Sequence, residues 1–100
     1  MSFNNPPWHP MSNSRELKTI GKLAEEVNEL GAAIARCIIQ GIDGLEPVTG
    51  KPNKQWLEEE IADVGVNLEL VIEYFNLDRE FMRARHDRKI VPLRQWHEEA

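Results

Sequence analysis

Between Leu17 and Ile38 the apolar residues Leu17, Ile20, Ala24, Val27, Ile34 and Ile38 recur at steps of three, four and seven, the period of a helix and not of a strand. The pattern predicts a first helix from Asn13 or Ser14, with Glu16 in its first turn, to about Gly41, a residue type suited to a C-terminal cap. The glycine- and proline-rich stretch GIDGLEPVTGKPN then reads as a loop. A second stripe of Leu57, Ile61, Val64, Leu68, Val71, Ile72 and Phe75 predicts a helix from about Lys54 to Phe75. Asn76-Leu77-Asp78 breaks it, and Asp78 is placed to cap a third helix through about Lys89, limited by Pro92. The first ten residues hold three of the six prolines beside Trp8 and His9, so they read as an irregular arm. The expected organisation is an arm over 1–13, a helical domain over 14–91 and a tail over 92–100. The expected fold is all-α, with two long antiparallel helices and a shorter third.

Composition changes this picture in one respect. A chain of 100 residues that is 41% hydrophobic buries only a thin core alone, so a homo-oligomer, dimer or tetramer, is expected to complete a four-helix bundle. The net charge of −5 lacks the basic footprint of a protein that binds a nucleic-acid polymer. Cys37 is the one cysteine, which leaves no disulfide framework or thiolate metal site and points to a reducing compartment. No stretch approaches the roughly 20 apolar residues of a membrane span, and the N-terminus lacks the pattern of a signal peptide. A soluble, cytoplasmic protein is expected.

The chemistry lies in two carboxylate clusters, Glu25-Glu26-Val27-Asn28-Glu29 and Glu60-Ile61-Ala62-Asp63. Residues three apart share one helix face, so Glu26 with Glu29 forms one acidic claw and Glu60 with Asp63 another. On the second helix, Glu58, Ala62, Glu69 and Glu73 form the wet face. Glu60 and Asp63 instead lie beside the core stripe, aligned with Trp56, Asn67 and Tyr74, as a wall for a polar pocket. Glu26 likewise sits at the margin of the apolar arc. Carboxylates at a core margin are costly unless paired or metal-bound. Two helices packed side by side would gather four of them around one volume, where a hard cation, Mg²⁺ or in its place Mn²⁺, relieves the repulsion and leaves positions for a phosphate substrate. Other sites fit poorly. None of His9, His86 or His97 follows a glutamate by three as a di-iron helix pair requires, the loop near Asp43 lacks calcium-loop order, and no phosphate-loop, dinucleotide or nucleophile-elbow motif is present.

EEVNE followed on the next helix by EIAD resembles the EExxE and ExxD motifs of the MazG-like all-α nucleoside triphosphate pyrophosphohydrolases, over roughly residues 17–89. The resemblance implies Mg²⁺-dependent hydrolysis of a nucleoside triphosphate to the monophosphate and pyrophosphate. It assigns the metal to Glu26, Glu29, Glu60 and Asp63, in agreement with the reading of the helix faces. Glu25 is the candidate to orient or deprotonate the water. The family's use of a basic residue after the second motif points to Arg85 and Lys89 for the phosphates. Asn67 is a candidate for sugar or base and Trp56 either for stacking on the base or for a core or subunit-interface role, with Trp8 and His9 as a cover from the arm. Two rival readings share these residues: a dedicated dUTP or dCTP hydrolase of the related dimeric families, and a non-catalytic helical module that holds a structural ion.

Overall fold

The computed structural model describes residues 7–99; the expected arm falls partly outside them, at 1–6. The fold is all-α, with α1 (Ser14–Gln40), α2 (Asn53–Phe75) and α3 (Arg79–Glu99). Among the described residues the only β pairing is an isolated bridge between Leu45 and Pro52 in the α1–α2 loop. The helix ends follow from local chemistry. Asn13 Oδ1 accepts from the backbone N–H groups of Arg15 and Glu16 at 2.9 and 3.0 Å, which satisfies two donors that the first turn leaves open. At the other end Gly41, at φ 87°, donates to the Cys37 carbonyl. Asn76 closes α2 in the left-handed region, and Asp78 Oδ1 accepts from Phe81 N–H at 2.9 Å to start α3.

α3 does not stop near Lys89: it continues through Pro92 to Glu99, so most of the expected tail is helical. Proline's fixed φ suits a helix, and the hydrogen bond it removes belongs to the carbonyl of Arg88 on an exposed element, where hydration replaces it.

α1 and α2 form an antiparallel hairpin. Asn53 at the start of α2 meets the end of α1, its Nδ2 donating to Gln40 Oε1 at 3.2 Å and to the Gly41 carbonyl at 3.0 Å. The Cys37 thiol points to the Asn53 carbonyl. This junction fixes which faces meet. Counting back from Cys37, the positions of α1 that lose exposure include Ala33, Leu30, Glu26, Leu23, Thr19 and Glu16; from Asn53 along α2 they include Leu57, Glu60, Val64, Asn67, Val71 and Phe75. Both ladders run in steps of three and four, the spacing of a two-helix seam.

On α1 the seam is therefore not the stripe expected from hydrophobicity, whereas on α2 Leu57, Val64, Val71, Ile72 and Phe75 of the expected stripe do lose exposure. Leu17, Ile20, Ala24, Val27, Ile34 and Ile38 lie one residue farther round α1 and are exposed, Ile38 by 79%. On α2, Ile61 and Leu68 are likewise exposed, one step from Glu60 and Asn67. The seam that the loop selects mixes apolar with polar residues, and the more continuous apolar face of α1 looks outward. α3 projects from the hairpin, tied near its start by the Arg79 guanidinium, which holds both Glu69 carboxylate oxygens. Its Phe81, Val91, Leu93 and Trp96 are all more than half exposed.

Candidate metal centre and adjoining groove

The seam places one acidic residue of α1, Glu26, opposite Glu60 and Asp63 of α2. Carboxylate oxygens of these three lie within 4.8 Å of one another. Glu26 is only 7% exposed, because it occupies a core position between Leu23 and Leu30. One oxygen of Glu26 and one of Glu60, Oε2 in each case, are buried without a hydrogen-bond partner. Buried anionic oxygens left unpaired are costly, and a hard divalent cation bound by several oxygens is the partner that such a donor set fits.

Glu29 stands on the exposed rim of this cluster. Its carboxyl is held above the usual range, first by the charge of Glu26, then by desolvation and by the charges of Glu60 and Glu25. Glu25 points outward, 3.4 Å from the Lys22 ammonium. The same ammonium reaches Glu26 Oε1 at 3.2 Å, so Lys22 is the cation directly on the cluster. Of the five acidic residues singled out in the sequence, Glu26, Glu60 and Asp63 come together, Glu29 borders them and Glu25 is tied to Lys22.

Trp56 supports the cluster from the loop side. Its Nε1–H donates to Glu60 Oε1 at 3.3 Å, one turn along the helix. Over its ring stand the Arg36 guanidinium, 4.9 Å from the centroid, and the Lys51 ammonium at 5.7 Å, in the range of favourable cation–π contact. A base stacked on Trp56 would meet these cations. Both are in turn neutralised, Lys51 by Glu59 at 2.6 Å and Arg36 by Glu46 at 3.9 Å. Glu46 is buried in the loop, where it accepts from the Thr49 hydroxyl at 2.7 Å and from the backbone N–H groups of Thr49 and Val48. These bonds, the Thr49 hydroxyl foremost, hold its carboxyl below the usual range.

On the opposite side of the cluster lies an open groove of about 510 Å³, bordered by Arg15, Lys18 and Lys22 of α1 and by Asn67, Glu73 and Tyr74 of α2. It adjoins the carboxylates through two shared residues: Lys22, which touches Glu26, and Asn67, whose Nδ2 donates to the Asp63 carbonyl at 2.8 Å. Asn67 and Tyr74 belong to the polar stripe expected on α2. The basic side was not expected. Arg85 and Lys89, favoured in the sequence for the phosphates, are exposed on α3, which projects away from the hairpin; within one chain they are not brought to the cluster. The cation that reaches it, Lys22, comes from the helix of the first motif instead, and Arg15 and Lys18 of that helix line the adjoining groove. Their signal was present in the sequence as Arg15, Lys18 and Lys22, spaced three and four apart and leading into Glu25-Glu26. Trp8, proposed as a cover, is 82% exposed.

No protein-family model, curated protein or solved structure matches this chain. Among the described residues, no helix is long and apolar enough to cross a membrane.

Proposed function

We propose that this protein is a divalent-metal-dependent nucleoside triphosphate pyrophosphohydrolase, converting a (d)NTP and water to the (d)NMP and pyrophosphate. The observation that carries the reading is the convergence of Glu26, Glu60 and Asp63, with unpaired buried oxygens on the two glutamates. The order of the EEVNE and EIAD motifs supports it, with the family resemblance as analogy. Glu26, Glu60 and Asp63, joined by Glu29 from the rim, would hold Mg²⁺, or Mn²⁺ in its place. When bound, such a cation supplies charge neutralisation for triphosphate oxygens and a lowered pKa for water. The chain's own part is positional. Trp56 fixes the Glu60 carboxylate through its N–H, the seam fixes Glu26, and Glu25, paired with Lys22 here, would orient or deprotonate the attacking water. The protein would act in the cytoplasm on the nucleotide pool as a homo-oligomer, with a second copy covering the outward apolar stripe of Leu17, Ile20, Val27, Ile34 and Ile38.

The reading is tested by incubating the protein with Mg²⁺ and a panel of canonical and modified nucleoside triphosphates, separating the nucleotides and assaying pyrophosphate. The expected result is monophosphate and pyrophosphate in equal amounts, abolished in Glu60→Ala and in Glu25→Gln, with Glu25→Gln keeping its metal affinity. A preference for dUTP or dCTP alone would narrow the reading to the dedicated hydrolases. Metal binding with no turnover of any nucleotide would favour the non-catalytic module.

A further inference from the structure

Lys22 belongs to two sites at once. Its ammonium is 3.2 Å from Glu26 Oε1, and its side chain also borders the groove with Arg15 and Lys18. Glu26 is the most buried carboxylate of the cluster, yet Lys22 itself is 52% exposed along its side chain, a long flexible tether anchored at the boundary. The groove carries three cations against one acid, Glu73, beside a cluster of carboxylates. In the absence of an anion those cations have little to neutralise there apart from the acids at its edge.

We infer that Lys22 is an exchangeable cation. It neutralises Glu26 while the carboxylates hold no metal, and turns into the groove to bind a polyphosphate, alongside Arg15 and Lys18, when a divalent cation takes its place on Glu26. This rests on the metal-centre reading above and adds to it a location for the phosphate tail and an order of events. A divalent cation placed among Glu26, Glu60 and Asp63 would repel an ammonium bound to the same carboxylate. The displaced ammonium is already at the groove edge, and a chain of phosphates bound to the metal extends into the same space. Metal and polyphosphate binding are then coupled through one side chain, since each favours the state of Lys22 that admits the other.

The exchange makes paired predictions for Lys22→Met that no simple loss of structure would reproduce. Mn²⁺ affinity, followed by the loss of free Mn²⁺ signal in electron paramagnetic resonance, is expected to rise about threefold or more, because a competing ion pair has been removed. Affinity of the Mn²⁺-loaded protein for a preformed Mn²⁺–tripolyphosphate complex, by calorimetry, is expected to fall about tenfold. Lys18→Met, one turn earlier and with no carboxylate of the cluster in reach, separates contact from general charge: it is expected to lose tripolyphosphate affinity with Mn²⁺ affinity unchanged. Circular dichroism checks that both variants remain helical. Equal or weaker Mn²⁺ binding in Lys22→Met, or equal tightening in Lys18→Met, would overturn the exchange. Unchanged tripolyphosphate affinity in both variants would overturn the groove. Failure of the unmodified protein to bind Mn²⁺ would instead strike the metal-centre reading itself, and the exchange with it.

Discussion

Glu60 is held at both carboxylate oxygens: one is fixed by Trp56 and the other is buried without a partner. Groups that orient a metal ligand through a hydrogen bond commonly affect affinity or activity by about 10- to 100-fold. Trp56→Phe keeps a ring beneath Arg36 and Lys51 but removes the N–H. It is expected to reduce Mn²⁺ affinity about tenfold with little loss of thermal stability, measured by titration and melting on the same sample. A large loss of stability with unchanged metal affinity would make Trp56 a packing residue only. The sequence revealed the acidic residues and the polar stripe of Trp56, Asn67 and Tyr74, because helical spacing alone decides which residues share a face. It did not reveal what Trp56 does, since the choice between stacking on a ligand and holding Glu60 depends on Arg36 and Lys51, which arrive from α1 and the loop.

The α1–α2 loop decides the faces of the hairpin. Gly44 sits where an added Cβ would come within 2.6 Å of the Gln40 carbonyl oxygen and 3.1 Å of Asn53 Nδ2. Gly44→Ala must therefore displace backbone, disturbing the junction that sets the seam. It is expected to lower both the melting temperature and Mn²⁺ affinity, although Gly44 is remote in sequence from the carboxylates. Glu46 gives the loop a pH dependence. Its folded pKa lies below its ordinary value, so its contribution is fully present above that value and is lost as pH falls through the folded one. The difference in melting temperature between the unmodified protein and Glu46→Gln should shrink as pH is lowered below the usual glutamate range; a difference independent of pH would exclude this role. Glu29, with its pKa raised, acts in the opposite sense: its contribution is present below the ordinary value and lost as pH rises through the folded one. Helix starts, stops and the loop were legible in Asn13, Gly41, Asn76 and Asp78, each a capping chemistry local to a few residues. The length of α3 was not. The cost of Pro92 depends on whether the orphaned carbonyl meets solvent or protein, which local sequence does not specify.

At the scale of the molecule the structure is open. Its radius of gyration is 18.5 Å, against about 13 Å for a compact domain of this length. Its accessible surface is 8452 Å², where a compact monomer of 11.6 kDa exposes about 5,800 Å². The excess is of the order buried by obligate homodimers, and among the described residues the buried apolar side chains reduce to Ala33 and Val71. Two ladders one residue apart on α1 explain why hydrophobicity picked out a continuous face of that helix that the hairpin does not bury. The Glu26 ladder closes the hairpin, and the Leu17–Ile38 ladder stays exposed, the face that the proposed second copy would cover. Ile34→Lys combined with Ile38→Lys, both at exposed positions, is expected to convert an oligomer to a monomer in sedimentation velocity. An unmodified protein that sediments as a monomer at micromolar concentration would remove the second copy from the account.

The most direct measurement is anomalous diffraction from crystals grown with saturating Mn²⁺. A manganese peak bounded by Glu26, Glu60 and Asp63 is expected, with Glu29 turned inward and Lys22 released from Glu26. Mn²⁺-saturated crystals with no peak among these carboxylates, and Lys22 still paired with Glu26, would contradict that expectation.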